Sequence, residues 1–255
     1  MRYEILGPLR IVDGDETSVI TAPKIGVVLA VLLIRSGRLV PADQLVNEIW
    51  DDNVPRTATT GLHVYVSQLR KFLQRPGRGE SPILTRNPGY LLRLGGDEFD
   101  LQMFRENADL ARAYLREGRD ELATAYFDRA LGLCYGPVLG DLPRGPVIDG
   151  FVTWLTEERL ECIEMSMETG LRLGRHRELV SRLYSLTAEW PLREVFHRQL
   201  MLALYRSDRQ ADALHVYQRL RHLLQRELGV EPCRSVRELH RLILMADECL
   251  DLCTA

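Results

Sequence analysis

The sequence predicts a mainly α chain with small β elements, divided into two parts. Three observations carry that reading. The first 96 residues mix short β-like runs with three helical segments. From Phe99 onward no strand pattern remains, and amphipathic helical segments follow one another. The charge divides along the same line. The 255 residues carry a net charge of −3, which on its face argues against a nucleic-acid partner. Residues 1–96, however, hold 12 basic against 9 acidic side chains, or +3, which leaves −6 for residues 97–255. Within Val54–Arg93 seven basic residues face only Glu80, so a nucleic-acid footprint belongs in that window. A hydrophobic fraction of 45% and a charged fraction of 27% are ordinary for a globular chain. They exclude collagen-like, low-complexity and largely disordered classes.

Taken in order, Tyr3-Glu4-Ile5-Leu6 and Leu9-Arg10-Ile11-Val12 are short strands about Gly7-Pro8, and Thr17–Ile20 follows the turn Asp13-Gly14-Asp15. Pro23 suits the first turn of a helix. The segment from about Lys24 to Arg35 is apolar on nearly every side, which predicts a central helix ended by Gly37. Pro41 opens a second helix, with Leu45, Val46, Ile49 and Trp50 on one face. Pro55 opens a third, running to about Gln74. After the loop Pro76-Gly77-Arg78-Gly79, the runs Ile83–Arg86 and Tyr90–Arg93 flank Asn87-Pro88-Gly89 and read as a hairpin.

Strands, three helices and a terminal hairpin make a winged helix-turn-helix, with the hairpin as the wing. Leu62, Val66, Leu69 and Leu73 recur at helical spacing and form the core face of the third helix, with Tyr65 and Phe72 beside it. Thr60, His63, Val64, Ser67, Gln68 and Lys71 fall mostly on the opposite side. A helix of about 18 residues spans about 27 Å, and the major groove of B-DNA admits one. Hydroxyls, an amide and no acids suit base edges and phosphates. Arg70, Lys71, Arg75 and Arg86 supply charge for phosphate contacts, and Arg86 at the hairpin tip is placed to enter a neighbouring minor groove. The candidate DNA-contacting set is therefore Thr59, Thr60, His63, Val64, Ser67, Gln68, Arg70, Lys71 and Arg86. The rival reading is a solvated helix face with ordinary surface arginines.

Four stretches carry a resemblance: Gly37-Arg38-Leu39-Val40, Leu45–Trp50, Val64–Lys71 and Thr85–Tyr90. They resemble the DNA-binding output domain of the OmpR class of two-component response regulators. With this domain first and the helical pattern behind it, the chain resembles the Streptomyces antibiotic regulatory proteins. The resemblance implies an activator of an antibiotic biosynthesis gene cluster that binds direct repeats near the promoter −35 region; a homodimer on tandem repeats is a further partner expectation. It matches Thr60, Val64, Ser67, Gln68 and Lys71 to the recognition face and Arg86 to the wing arginine. Ser67-Gln68 stands where relatives often carry arginine, so base readout relies less on bidentate arginine–guanine pairs. The loop Asp51-Asp52-Asn53 follows a helix C-terminus, where the helix dipole disfavours acids. In the OmpR class the corresponding loop touches RNA polymerase, and an acidic loop suits a basic patch on a sigma factor. A plain polar loop is the other reading.

In the second part, Gly118–Ala123, Gly174–Leu179 and Asp208–Ala213 are similar helix-opening units. The second and third lie 34 residues apart, the tetratricopeptide period, and an insertion at Tyr135–Pro143 separates the first. Trp190–Glu194, Leu200–Arg206, Gln210–Tyr217 and Glu227–Pro232 resemble the bacterial transcriptional activator domain. Ser207-Asp208 departs from it by replacing the usual glycine at the opening of a pair. The expected boundaries are 1–96 for the winged helix and 97–255 for the helical repeats, the latter acidic and suited to protein contacts.

The longest apolar run, Ile25–Ile34, has about ten residues, against about 20 needed to span a bilayer. With no signal-peptide core at the N-terminus, the expectation is a cytoplasmic, nucleoid-associated protein without a membrane partner. Five cysteines, an odd number with no Cys-x-x-Cys pair, predict no structural disulfide. Cys249 and Cys253 read as helix neighbours rather than metal ligands. No cofactor, metal or catalytic residue is expected, since no nucleophile elbow, P-loop, zinc-protease or dinucleotide motif occurs. The alternative to a DNA-binding activator is a tetratricopeptide-type adapter without direct DNA binding, against which the basic window and Arg86 argue.

Overall fold

A computed structural model describes residues 1–74, 81–247 and 250. The loop at 76–79, Arg75 and the pair Cys249 and Cys253 lie outside the described residues. Two compact units emerge: Met1–Ala108 with Arg129–Arg159, and Asp109–Asp128 with the residues from Leu160 onward. The first unit therefore reaches past residue 96 and takes in the insertion.

The first unit begins with β1 (Arg2–Glu4), β2 (Arg10–Asp13) and β3 (Glu16–Ser18). These join β7 (Glu98–Phe99) in a sheet of order β3-β2-β1-β7, parallel only between β1 and β7. Helix α1 (Pro23–Ile34) is central as expected: every residue from Gly26 to Leu33 is buried. Helices α2 (Ala42–Trp50) and α3 (Ala58–Phe72) follow. A second sheet, β4-β6-β5, comprises β4 (Leu39–Pro41), β5 (Ile83–Arg86) and β6 (Gly89–Leu92). The β5–β6 pair is the hairpin read from the sequence.

Several expectations need correction. Pro41 is the last residue of β4 and sits just outside α2. Three residues are too few to show strand alternation, so β4 was invisible. Pro55 lies in a turn, its carbonyl accepting from Ala58 N–H at 3.0 Å. The third helix accordingly has 15 residues, about 22 Å long rather than 27. Phe72, expected beside the core, is 44% exposed. The run after residue 96 does contain a strand, β7, where Phe99 was expected to begin helix.

The insertion Tyr135–Pro143 lies against the first sheet and α1. Leu139 N–H donates to Gly7 O at 2.8 Å. A Cβ on Gly7 would fall 2.2 Å from the Tyr135 carbonyl oxygen, and one on Gly26 2.7 Å from the Leu142 side chain. The Arg10 guanidinium stacks over the Tyr135 ring at 4.2 Å, and Tyr135 Oη donates to Glu4 at 2.8 Å. Arg2 (2.7 Å) and Arg10 also bind Glu4. Burial pushes the Glu4 carboxyl upward, but hydrogen bonds from Arg10 and Tyr135 outweigh it and hold the group below its ordinary value.

Two further carboxylates close the unit. Asp100, first residue of α4 (Asp100–Arg116), which α5 (Asp120–Gly132) follows along the chain, accepts Ile5 N–H at 2.8 Å and Leu6 N–H at 2.9 Å through Oδ2. Among the described residues its Oδ1 is buried without a hydrogen-bond partner. Burial pushes its pKa up to about 6 despite the backbone donors. Glu48 on α2 is 5% exposed and accepts Val147 N–H and Ile148 N–H, each at 2.9 Å, in the first turn of α6 (Pro146–Arg172). These are orphan donors of a helix N-terminus, satisfied here by a side chain about 100 residues earlier in the chain.

In the second unit, α8 (Glu194–Tyr205) packs against α7 (His176–Glu189), α9 (Gln210–Leu228) and α10 (Arg234–Met245). Phe196, Leu200, Met201, Ala203 and Leu204 of α8 are fully buried. The three helix-opening units share one backbone device. Gly118, Gly174 and Asp208 are all left-handed, at φ +70°, +77° and +63°. The arginine after each donates its N–H five residues back: Arg119 to Tyr114 O, Arg175 to Gly170 O, and Arg209 to Leu204 O, at 2.9–3.0 Å. This is the six-to-one bond of a Schellman turn. Asp208 adopts the glycine conformation, so its departure from the family pattern leaves the turn unchanged.

Candidate nucleic-acid interface

Helix α3 and its C-cap residue bury Leu62, Val66, Leu69 and Leu73, all at 0–1% exposure. That seam fixes which side faces out. Thr60, Val64, Ser67 and Lys71 recur at helical spacing as one exposed stripe, with His63 and Gln68 flanking it. Val64 is 47% exposed, an apolar side chain suited to a thymine methyl group. The helix contains no acid, and Lys71 has no ion pair among the described residues.

Two members of the predicted set lie off that stripe. Thr59 is exposed but turns toward α2, lining a groove of about 360 Å³ with Ala42, Asp43, Val46, Asn47 and Val54. Arg70 is half-buried: its Nε donates to Ile83 O at 3.0 Å and its Nη2 to Thr85 Oγ1 at 2.7 Å. Its guanidinium ties the last turn of α3 to β5. Arg86 ends β5 at the hairpin tip, exposed, and pairs across to Gly89. The hairpin that holds Arg86 is thus fastened to the helix that holds Lys71 and Gln68.

The acidic loop begins where α2 stops. Asp51 takes a positive φ of 49° and donates its N–H to Asn47 O at 2.8 Å, while Asp51, Asp52 and Asn53 are exposed. Trp50, just before them, stacks on Tyr65 of α3 with ring centroids 6.0 Å apart, and Lys24 Nζ sits 4.9 Å from the Trp50 ring. The aromatic pair sets α2 on α3 and so places the loop. The roles of Lys24, Trp50 and Glu48 were not apparent from helical spacing alone. A charged residue at the buried Glu48 position was the available signal.

A helix with an exposed acid-free face, braced to a hairpin bearing an arginine at its tip, defines a winged-helix DNA-binding module, followed by helical repeats. Residues 16–92 match the family described as transcriptional regulatory protein, C terminal, and residues 99–244 match the bacterial transcriptional activator domain. The regulatory protein DnrI of Streptomyces peucetius is 36% identical over 98% of this chain and 94% of its own length. The regulatory protein AfsR of Streptomyces griseus is 38% identical over 97% of this chain, which spans only 25% of AfsR. A solved structure of Mycobacterium tuberculosis EmbR in complex with a low-affinity phosphopeptide superposes with a TM-score of 0.90 at 33% identity, covering 96% of this chain and 65% of that one. The chain belongs to the Streptomyces antibiotic regulatory protein family of transcriptional regulators. No described helix is long and apolar enough to cross a membrane.

Proposed function

We propose that the protein activates transcription of an antibiotic biosynthesis gene cluster by binding direct repeats near the promoter −35 region and recruiting RNA polymerase. The observation that carries this reading is the exposed stripe Thr60, Val64, Ser67 and Lys71, with Gln68 beside it and Arg86 on a hairpin braced to the same helix. Ser67 and Gln68 read base edges, Val64 meets a thymine methyl, and Lys71 and Arg86 neutralise phosphates or enter a minor groove. Asp51, Asp52 and Asn53 offer acids to a basic patch on a sigma factor. Residues 1–96 read DNA and residues 97–255 make protein contacts, including those between two copies on tandem repeats. The site of action is the nucleoid in the cytoplasm.

The test is footprinting of the full chain on promoters beside its own gene, paired with binding measured by fluorescence anisotropy across a salt series. Protection of two direct repeats, with affinity falling steeply as salt rises, is the expected result. Gln68→Ala is expected to relax preference at one base position at a cost of about 1–3 kcal/mol. Absence of any protected promoter, with partner binding insensitive to salt, overturns this reading in favour of a protein-binding adapter.

A further inference from the structure

A groove of about 370 Å³ lies between α7 and α9, lined by Tyr184, Asp212, His215, Gln218, Arg219 and His222. Tyr184 and Gln218 are one 34-residue period apart, so the groove is formed by equivalent helices of successive repeats. Its chemistry is one-sided. His215, Arg219 and His222 follow one another along one face of α9. The single acid, Asp212, is already paired with Arg209 at 2.7 Å. Arg219 has no hydrogen bond or ion pair among the described residues, although the chain beyond residue 96 is acidic overall. The lining therefore presents a guanidinium, two imidazoles, an amide and a phenol hydroxyl as donors, with one offset carboxylate. The half-buried Tyr184 ring provides an apolar wall.

We propose that this groove binds a small phosphate monoester, with Arg219 as the fork on two phosphate oxygens and His215 and His222 on either side. Guanidinium matches the spacing of phosphate oxygens in a bidentate pair, and each imidazole offers a ring N–H donor to a phosphate oxygen. The volume falls at the low end for small-ligand sites, which favours a compact anion over an extended acidic peptide. The Tyr184 ring gives the ester group a surface to stack on. The inference stands apart from DNA recognition, because none of these residues lies on α3 or the wing.

The experiment is isothermal titration calorimetry of the full chain with inorganic phosphate and with phenyl phosphate, at constant ionic strength held with chloride. Arg219→Ala and Arg86→Ala are run beside the wild type, and circular dichroism establishes that both variants fold. Saturable binding of both probes, tighter for phenyl phosphate, is expected. Arg219→Ala should weaken it at least fivefold, and Arg86→Ala should leave it within twofold. Retained promoter binding by Arg219→Ala separates this site from the DNA face. No saturable binding to the wild type, equal binding by Arg219→Ala, or loss in Arg86→Ala alone overturns the proposal. So does capture of an aspartate-rich peptide in this groove with no response to either phosphate.

Discussion

The guanidinium of Arg70 donates to Thr85 Oγ1 at 2.7 Å, joining the last turn of α3 to the strand that ends in Arg86. A second bond, from Arg70 Nε to Ile83 O at 3.0 Å, makes the link two-pronged. Arg70, expected at a phosphate, also has its guanidinium committed to β5.

If Arg70 acts by holding the hairpin, Arg70→Ala and Thr85→Val should weaken promoter binding through a shared cause. Thr85→Val is expected to cost about 0.5–1.5 kcal/mol, the range of a single hydrogen bond, Arg70→Ala about twice that because it removes both bonds, and the double variant less than their sum. A double-mutant cycle in fluorescence anisotropy measures the coupling. Strict additivity would return Arg70 to the role of an independent phosphate contact.

Arg86 is the contrasting case, an exposed cation at the hairpin tip. Arg86→Ala should weaken binding and lower the slope of log affinity against log salt by about 1. Arg70→Ala, which loosens the wing but leaves the charge at its tip, should change that slope less. An unaltered slope in Arg86→Ala removes the tip from the interface.

The double substitution Asp51→Ala and Asp52→Ala leaves the Trp50–Tyr65 stack untouched. Promoter affinity is therefore expected to hold within about twofold or rise slightly, since two negative charges leave the domain. In vitro transcription with purified polymerase should fall. Full transcription by this variant would sink the polymerase contact.

Glu48→Ala removes the acceptor of two helix N-terminal donors and leaves a void under α6. A loss of about 1–3 kcal/mol is expected, from the cost of unsatisfied buried donors and a missing cap. Glu48→Gln keeps one accepting oxygen and should retain part of that stability. Chemical denaturation of the three proteins orders them, and an Ala variant as stable as wild type would exclude the capping role.

Asp100 gives a pH signature. Its folded pKa of about 6 lies above the ordinary carboxylate value, chiefly through burial. The folded chain holds its proton where the unfolded chain releases it, so this group's contribution is full at low pH and declines as pH rises through about 4 to 6. Asp100→Asn keeps an accepting oxygen without the charge. The variant should gain on the wild type across that window, by on the order of 2–3 kcal/mol at pH 7. A stability difference independent of pH between 4 and 7 would refute the assignment.

Helix α3 and the β5–β6 hairpin are legible because they obey periodic rules. Leu62, Val66, Leu69 and Leu73 announced a seam, and Asn87-Pro88-Gly89 announced a turn. The left-handed openings at Gly118 and Gly174 carried their own signal, and the 34-residue spacing extended it to Asp208. The less legible features depend on distant residues or very short elements. Nothing near Glu48 in sequence predicts partners at Val147 and Ile148. The three residues of β4 and the two of β7 are too short to alternate. Arg70 sits at helical spacing equally consistent with DNA and with the wing, and only the position of β5 decides.

The seat of Tyr135 on Gly7, of Leu142 against Gly26 and of α6's first turn on Glu48 bears on how such regulators recombine. A chain cut at residue 96 would lose the cover over its own sheet and helix, and is expected to be less stable for it. Exchange of DNA specificity between relatives has two workable routes. One transplants the reader together with a matched segment spanning about residues 135 to 148. The other changes only the outward residues of α3 and the wing, leaving every surface under that segment as it was.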